Sequence, residues 1–370
     1  MIDSASPYQA THQSKSSELL RVNLHAVSWK QVGMFIGLTF GLTWLLNLGL
    51  YLAGGLTSPS VSLVASSQML VPAFSAILLE TFFLSDSKIY FKTNHSKVRW
   101  FTYYFMAYAV FGILGSFLAF LRPSLNGLIG QIFNILLLFG LVLLLIVRWR
   151  GGKTVFSDAG MAFGGFRWWI IFGFGLAAFY ALQSSLNMVF NLGQFVDLAK
   201  LLSPAMAAWP PIAVHLLQIV SALFIIPVAN LLVFFGEEYG WRGYLQRALT
   251  PMGRASGVLL VGAVWGLWHA PLILMGSNYP GQPVLGVFLM ILFCIFIGFI
   301  LSYSVYKSKG VWTAAYLHGV YNNFLSYILG MVYLPASTIL SFGNGVYGIV
   351  IWVIAIGLIL RDPVWKEQEI

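Results

Sequence analysis

The chain has 370 residues, of which 59% are hydrophobic and only 8% charged, with a formal net charge of +9. This composition excludes an ordinary soluble domain, and a single cysteine, Cys294, excludes a disulfide framework or a cysteine metal cluster. The positive balance follows from loop topology, as the distribution of Lys and Arg shows, and is no argument for a nucleic-acid partner.

Residues 1–30 are polar and Ser-rich, with no short apolar core followed by small residues. They are expected to form a cytoplasmic tail without a cleavable signal, so that the first span anchors the protein. Ten apolar stretches follow, at about 31–54, 62–84, 101–121, 126–147, 167–191, 212–236, 256–276, 284–306, 312–332 and 339–360. Each is long enough, or nearly so, to cross about 30 Å of hydrocarbon as a helix. The runs are continuous rather than alternating, which argues against barrel strands and for an all-α, polytopic membrane bundle.

The basic residues test that count, because cytoplasmic loops collect Lys and Arg. With the N-terminus inside, only Arg122 and Lys200 of the twenty Lys and Arg fall on the outer side. A span missed or added in the middle would destroy that asymmetry. Both termini are then cytoplasmic, with 361–370 as a second tail. Within the first span, Gly33, Gly37 and Gly41 share one helix face and are expected to admit a neighbouring helix of the bundle. The loop 192–211, with Asp197, Lys200, Pro204 and Trp209, reads as a short interfacial helix on the outer face.

Ionisable and amide groups inside spans are costly and mark function. Here they are Glu80, His215, Glu237, Glu238, His269 and His318, with Asn322 and Asn323 beside the last. Glu237 and Glu238 follow an apolar run in LLVFFGEEYGWRGYL, at the cytoplasmic end of the sixth span. His269, His318 and Asn322 lie in the inner half of the seventh and ninth spans, so the four can meet. His215 is 22 residues before Glu237 on one helix, about 33 Å away, and cannot join them. Glu80 is expected at the headgroups and Asn323 in a bond across helices.

Residues four apart share a helix face. His318 and Asn322 therefore project together, as do Trp265 and His269. Glu238 and Arg242 stand in the favourable order for an ion pair, leaving Glu237 about 100° round the helix and free. A free carboxylate among two histidines and an amide can activate water while a neighbour steadies an oxyanion. The same groups can instead hold Zn²⁺ through Glu237, His269 and His318, and no short spacing such as HExxH separates the two readings. A proton-coupled transporter would also place Glu and His within spans, but should show inverted repeats or paired broken helices, and none is evident. A non-enzymatic scaffold or immunity partner is the other alternative.

Glu237, Glu238 and Arg242 form EExxxR; Trp265 to His269 is similar to FxxxH with tryptophan for phenylalanine; His318 to Asn322 forms HxxxN. In this order the set resembles the CPBP family of intramembrane proteases, which includes type II CAAX prenyl endopeptidases and bacteriocin-processing or self-immunity proteins. The resemblance covers about 212–332. It implies a catalytic membrane core over 192–360, with Glu237 as the water-activating base, His269 binding that water, and His318 with Asn322 stabilising the tetrahedral intermediate. Glu238, Arg242 and Trp265 would support them. The family has been described both as metalloproteases and as glutamate proteases, so Zn²⁺ is carried over as an expectation only. The implied partners are the lipid bilayer and a membrane-associated peptide substrate. The spans over 31–191 are left to shape substrate entry or to meet a membrane-protein partner. A bacterial cell membrane is the expected location.

Overall fold

The computed structural model describes residues 27–197, 201, 206 and 208–367. The tail up to residue 26, Lys200, Pro204 and the last three residues lie outside them. In chain order the main helices are α1 (Trp29–Leu52), α2 (Val61–Phe82), α3 (Val98–Leu121), α4 (Asn126–Gly151), α5 (Phe166–Val189), α6 (Pro211–Ala229), α7 (Leu231–Glu238), α8 (Arg254–Trp268), α9 (Pro283–Ser308), α10 (Val311–Tyr327) and α11 (Gly348–Ile359). α1 to α6 and α9 are long and apolar enough to cross a membrane. The chain is an all-α polytopic membrane bundle. Its outer helices turn side chains such as Leu138, Leu145 and Val353 to the surroundings, as lipid contact requires.

Three of the ten expected spans are short. α8, α10 and α11 hold 15, 17 and 12 residues, or roughly 18 to 26 Å at 1.5 Å per residue. α10 is sheathed by protein, with Val311 to Val320 buried without interruption, so it needs neither full length nor an unbroken apolar surface. α11 starts at Gly348 rather than near 339. Gly343, Asn344 and Gly345 break the helical run before it, and that segment folds back through Val346 N–H to Ile339 C=O.

The outer loop begins as a strand, β1 (Gly193–Phe195), paired antiparallel with β2 (Tyr333–Pro335). Edge groups left free in each short segment are satisfied by the other. Residues 198–200, 202–205 and 207 of the segment expected to form an interfacial helix lie outside the described residues, and Met206 between them is helical. One further expectation is corrected. Among the described residues the glycine face of α1 meets no helix: a Cβ added at Gly33, Gly37 or Gly41 would find nothing within 4 Å.

The close crossings lie elsewhere and frame the polar centre. A Cβ at Gly236 or Gly240 would stand 2.4 Å from Met69 O or Pro72 Cβ of α2. At Gly266 it would stand 2.4 Å from Ile291 Cα of α9. These are backbone-to-backbone contacts of the kind small residues permit between membrane helices. Gly240→Ala is expected to cost about 1–3 kcal/mol through overpacking, whereas Gly33→Ala should stay within about 0.5 kcal/mol of wild type. Thermal unfolding of the purified variants in one detergent checks the contrast.

Candidate active site

α7 packs against α2 and α10, and every residue from Leu231 to Leu245 is buried. The carboxylates therefore sit inside the protein rather than against lipid. After Glu238 the helix widens into a π-type segment, Tyr239–Leu245, a local geometry often found at functional sites. The widened turn is tied back to α2 through Glu80, which accepts hydrogen bonds from Tyr239 Oη at 2.5 Å and Arg247 Nη2 at 2.9 Å. Glu80 is thus a buried structural anchor and not a headgroup contact.

The two glutamates divide as the spacing predicts, with one addition. Glu238 Oε1 accepts from Arg242 Nη1 at 3.0 Å and also from His318 Nδ1 at 2.7 Å. All three side chains are within 2% of full burial. Placing this pair in a dry interior is expensive, and the histidine supplies an added partner that offsets the cost. The guanidinium lies 4.3 Å from the centre of the Trp265 ring, a cation–π contact that fixes both.

Glu237 is held differently. Its Oε2 accepts a 2.6 Å hydrogen bond from Trp265 Nε1, and Oε1 has no donor among the described residues. Sequence reasoning treated Trp265 as an aromatic wall for His269. Its role as donor to Glu237 was legible only in that tryptophan, unlike phenylalanine, carries an N–H that must find a partner when buried. Trp265 also spans the site: its ring centre is 5.8 Å from that of His269 and 5.7 Å from that of His318.

His269 follows the last residue of α8, where Nδ1 lies 2.9 Å from Trp265 C=O. A carbonyl only accepts, so Nδ1 carries the proton and Nε2 is left as an acceptor. Trp268 stacks edge-on against this ring at 4.7 Å and donates to Thr43 Oγ1 of α1 at 2.9 Å, which ties the histidine's position to the N-terminal helix.

His318 has Nε2 3.2 Å from Tyr321 Oη. Tyr321, one turn further on the same helix, is a buried polar neighbour that the sequence reading passed over. Asn322 is half-buried on that face, and its side chain makes no hydrogen bond among the described residues. Asn323 bonds to Gly319 C=O of its own helix at 2.7 Å rather than across helices. His215 lies apart, with Nδ1 3.1 Å from Tyr327 Oη.

Glu237, Trp265, His269, His318, Glu238 and Arg242 are therefore joined by direct contacts, with Asn322 a turn beyond. Among the described residues no three His, Cys, Asp or Glu side chains converge as metal ligands. His318 and His269 each bond through Nδ1, to Glu238 and to the Trp265 carbonyl, an orientation that leaves Nε2 as the ring nitrogen facing other groups.

Residues 219–324 match the family model for type II CAAX prenyl endopeptidase, Rce1-like. The matched stretch runs from within α6 to near the end of α10 and contains every residue of the site from Glu237 to Asn322. The match supports a relationship to the CAAX-protease family. No curated protein and no solved structure matches the chain.

Proposed function

We propose that the chain is an intramembrane endopeptidase that hydrolyses peptide bonds of membrane-associated substrates through a water activated by Glu237. One observation carries this reading. Of two adjacent buried glutamates, Glu238 is paired through Oε1 with the guanidinium of Arg242 and with His318, while Glu237 has no ion-pair partner among the described residues and is oriented by Trp265 through Oε2.

A water between Glu237 Oε1 and His269 Nε2 can give one hydrogen bond to each and turn a lone pair toward a substrate carbonyl. As the oxygen attacks, Glu237 takes the proton, the carbonyl oxygen becomes an oxyanion, and the donors on the α10 side stabilise it: Asn322 Nδ2 and the His318–Tyr321 pair. Collapse of the intermediate expels the amine, which receives the proton from Glu237. Glu238 and Arg242 keep the end of α7 and His318 in register.

Trp265→Phe isolates the positioning of Glu237. The ring survives and the donor is lost, so kcat should fall about tenfold, in line with losing a charge-assisted hydrogen bond of about 1.5 kcal/mol, with KM little changed. The function itself is tested by quantitative mass spectrometry of peptide termini from membranes and medium. Cells carrying the wild-type chain are compared with cells carrying Glu237→Gln at matched abundance. Termini that vanish in the variant establish proteolysis and name its substrates. An unchanged set of termini would instead favour a scaffold that retains the site without using it.

A further inference from the structure

His269 stands at a break in its helix. α8 ends at Trp268, and a short helix, Ala270–Leu274, takes over directly after His269. Pro271 has no N–H to offer the carbonyl of Leu267, so the helical ladder is interrupted there. The His269 amide bonds to Gly266 C=O at 3.2 Å, closing a tighter turn. A side chain at such a break takes its position from what touches it. For His269 these are the Trp265 carbonyl, which holds Nδ1, and the Trp268 ring, packed edge-on at 4.7 Å.

Trp268 is in turn held by α1 at both its ring and its backbone. Its Nε1 donates to Thr43 Oγ1 at 2.9 Å, and Trp44 Nε1 donates to its carbonyl at 3.3 Å. A third contact runs through rings: Phe35 of α1 meets Trp241 edge-on at 5.7 Å, and Trp241 meets Trp268 at 5.9 Å. Thr43 and Trp268 are both fully buried. A buried indole N–H needs an acceptor, and here Thr43 is the acceptor that fixes how the indole is turned.

The buried face of α1 is the wrong one for a helix that only anchors. Thr39, Thr43 and Asn47, each four residues apart, are all turned inward and buried. Polar groups within a span are costly and tend to be kept for function. Of the three, Thr43 reaches Trp268, whereas Thr39 Oγ1 has no hydrogen-bond partner among the described residues. α1 also lies outside residues 219–324, so the family match says nothing of it.

We infer that Thr43 is a positioning residue for His269, acting through Trp268, and that α1 is thereby a working part of the site. The kinetic consequence rests on the protease reading. With the Thr43 hydroxyl gone, the Trp268 ring is free to turn, and the His269 ring that leans on it no longer holds Nε2 toward the water between itself and Glu237. Displacements of about 1 Å at reacting atoms cost rate steeply, so the loss falls on turnover and not on substrate affinity.

The test uses the full chain in nanodiscs, with hydrolysis followed on a quenched fluorescent peptide that spans a terminus lost in the Glu237→Gln cells. Thr43→Val keeps the shape and removes the acceptor. It should lower kcat about tenfold, with KM and the melting temperature little changed. Thr43→Ser, which restores the hydroxyl, should return close to the wild-type rate, and Thr39→Val, one turn away with no partner to lose, should leave the rate unchanged. Trp268→Phe should resemble Thr43→Val, and the double variant should fall no further, because both changes break one tie. Backbone hydrogen exchange over residues 266–273, read by mass spectrometry, should quicken in Thr43→Val and not in Thr43→Ser. Wild-type kcat in Thr43→Val, a loss that Thr43→Ser or Thr39→Val shares, additive losses in the double variant, or equal exchange in all variants each overturns the inference. If no terminus is lost in the Glu237→Gln cells, the protease reading fails by itself. The exchange contrast then decides alone whether α1 positions His269.

Discussion

Purified Glu237→Gln protein should hydrolyse a substrate peptide about 10²–10⁴-fold more slowly than wild type, the usual contribution of a positioned general base. Its melting temperature should hardly move. Glutamine has the same shape, and its amide oxygen can still accept the Trp265 N–H that now holds Glu237 Oε2. What disappears is the capacity to take a proton from water and return it to the leaving amine. A loss confined to kcat would place the effect in the chemical step. Glu238→Gln should behave differently, since Glu238 meets two charged or chargeable partners and its removal disturbs His318 and Arg242 together. A Glu237→Gln protein that kept full activity in the purified state would sink the mechanism outright.

The largest stability effect is expected at Arg242. Arg242→Met leaves Glu238 inside protein with His318 Nδ1 as its one hydrogen-bond partner among the described residues and with Oε2 already unpartnered. Breaking one side of a buried pair typically costs about 3–5 kcal/mol, because the remaining charge is stranded. Loss of the cation–π contact on Trp265 adds to it and loosens the group that orients Glu237. Thermal unfolding in detergent should therefore show a marked drop for Arg242→Met and a substantial recovery for Glu238→Gln/Arg242→Met, which removes both charges. Activity should not recover in the double variant, since His318 has lost its carboxylate acceptor. A double variant no more stable than Arg242→Met would show that the pair matters for shape rather than for charge balance.

The sequence carried the polar constellation because few forces place charge in a membrane span. Glu237, Glu238, His269, His318 and Asn322 are conspicuous against their apolar neighbours, and helix periodicity then paired Glu238 with Arg242, as the structure finds at 3.0 Å. Run length located the apolar helices, since hydrophobic runs of this length have few alternatives, and seven of the described helices are long and apolar enough to cross a membrane. Their exact lengths did not follow. α10 is shorter and less apolar than a lipid-facing span because the bundle surrounds it, and the composition of one segment does not report what lies beside it.

Contacts between segments were the part the sequence left undetermined. Glu80 looked interfacial by depth but is buried, because the widened turn after Glu238 brings Tyr239 and Arg247 onto it. His318, expected with Asn322 to stabilise the intermediate, bonds to Glu238, and the N–H that holds Glu237 comes from Trp265 on another helix. The glycines Gly33, Gly37 and Gly41 of α1 satisfied a packing pattern and meet nothing among the described residues, while Gly240 and Gly266, in less regular surroundings, make the close crossings. Local spacing fixes which side chains share a face, and apolarity fixes which segments enter the membrane. Which face meets which neighbour depends on how all the helices fill space together, and only the tertiary structure decided that.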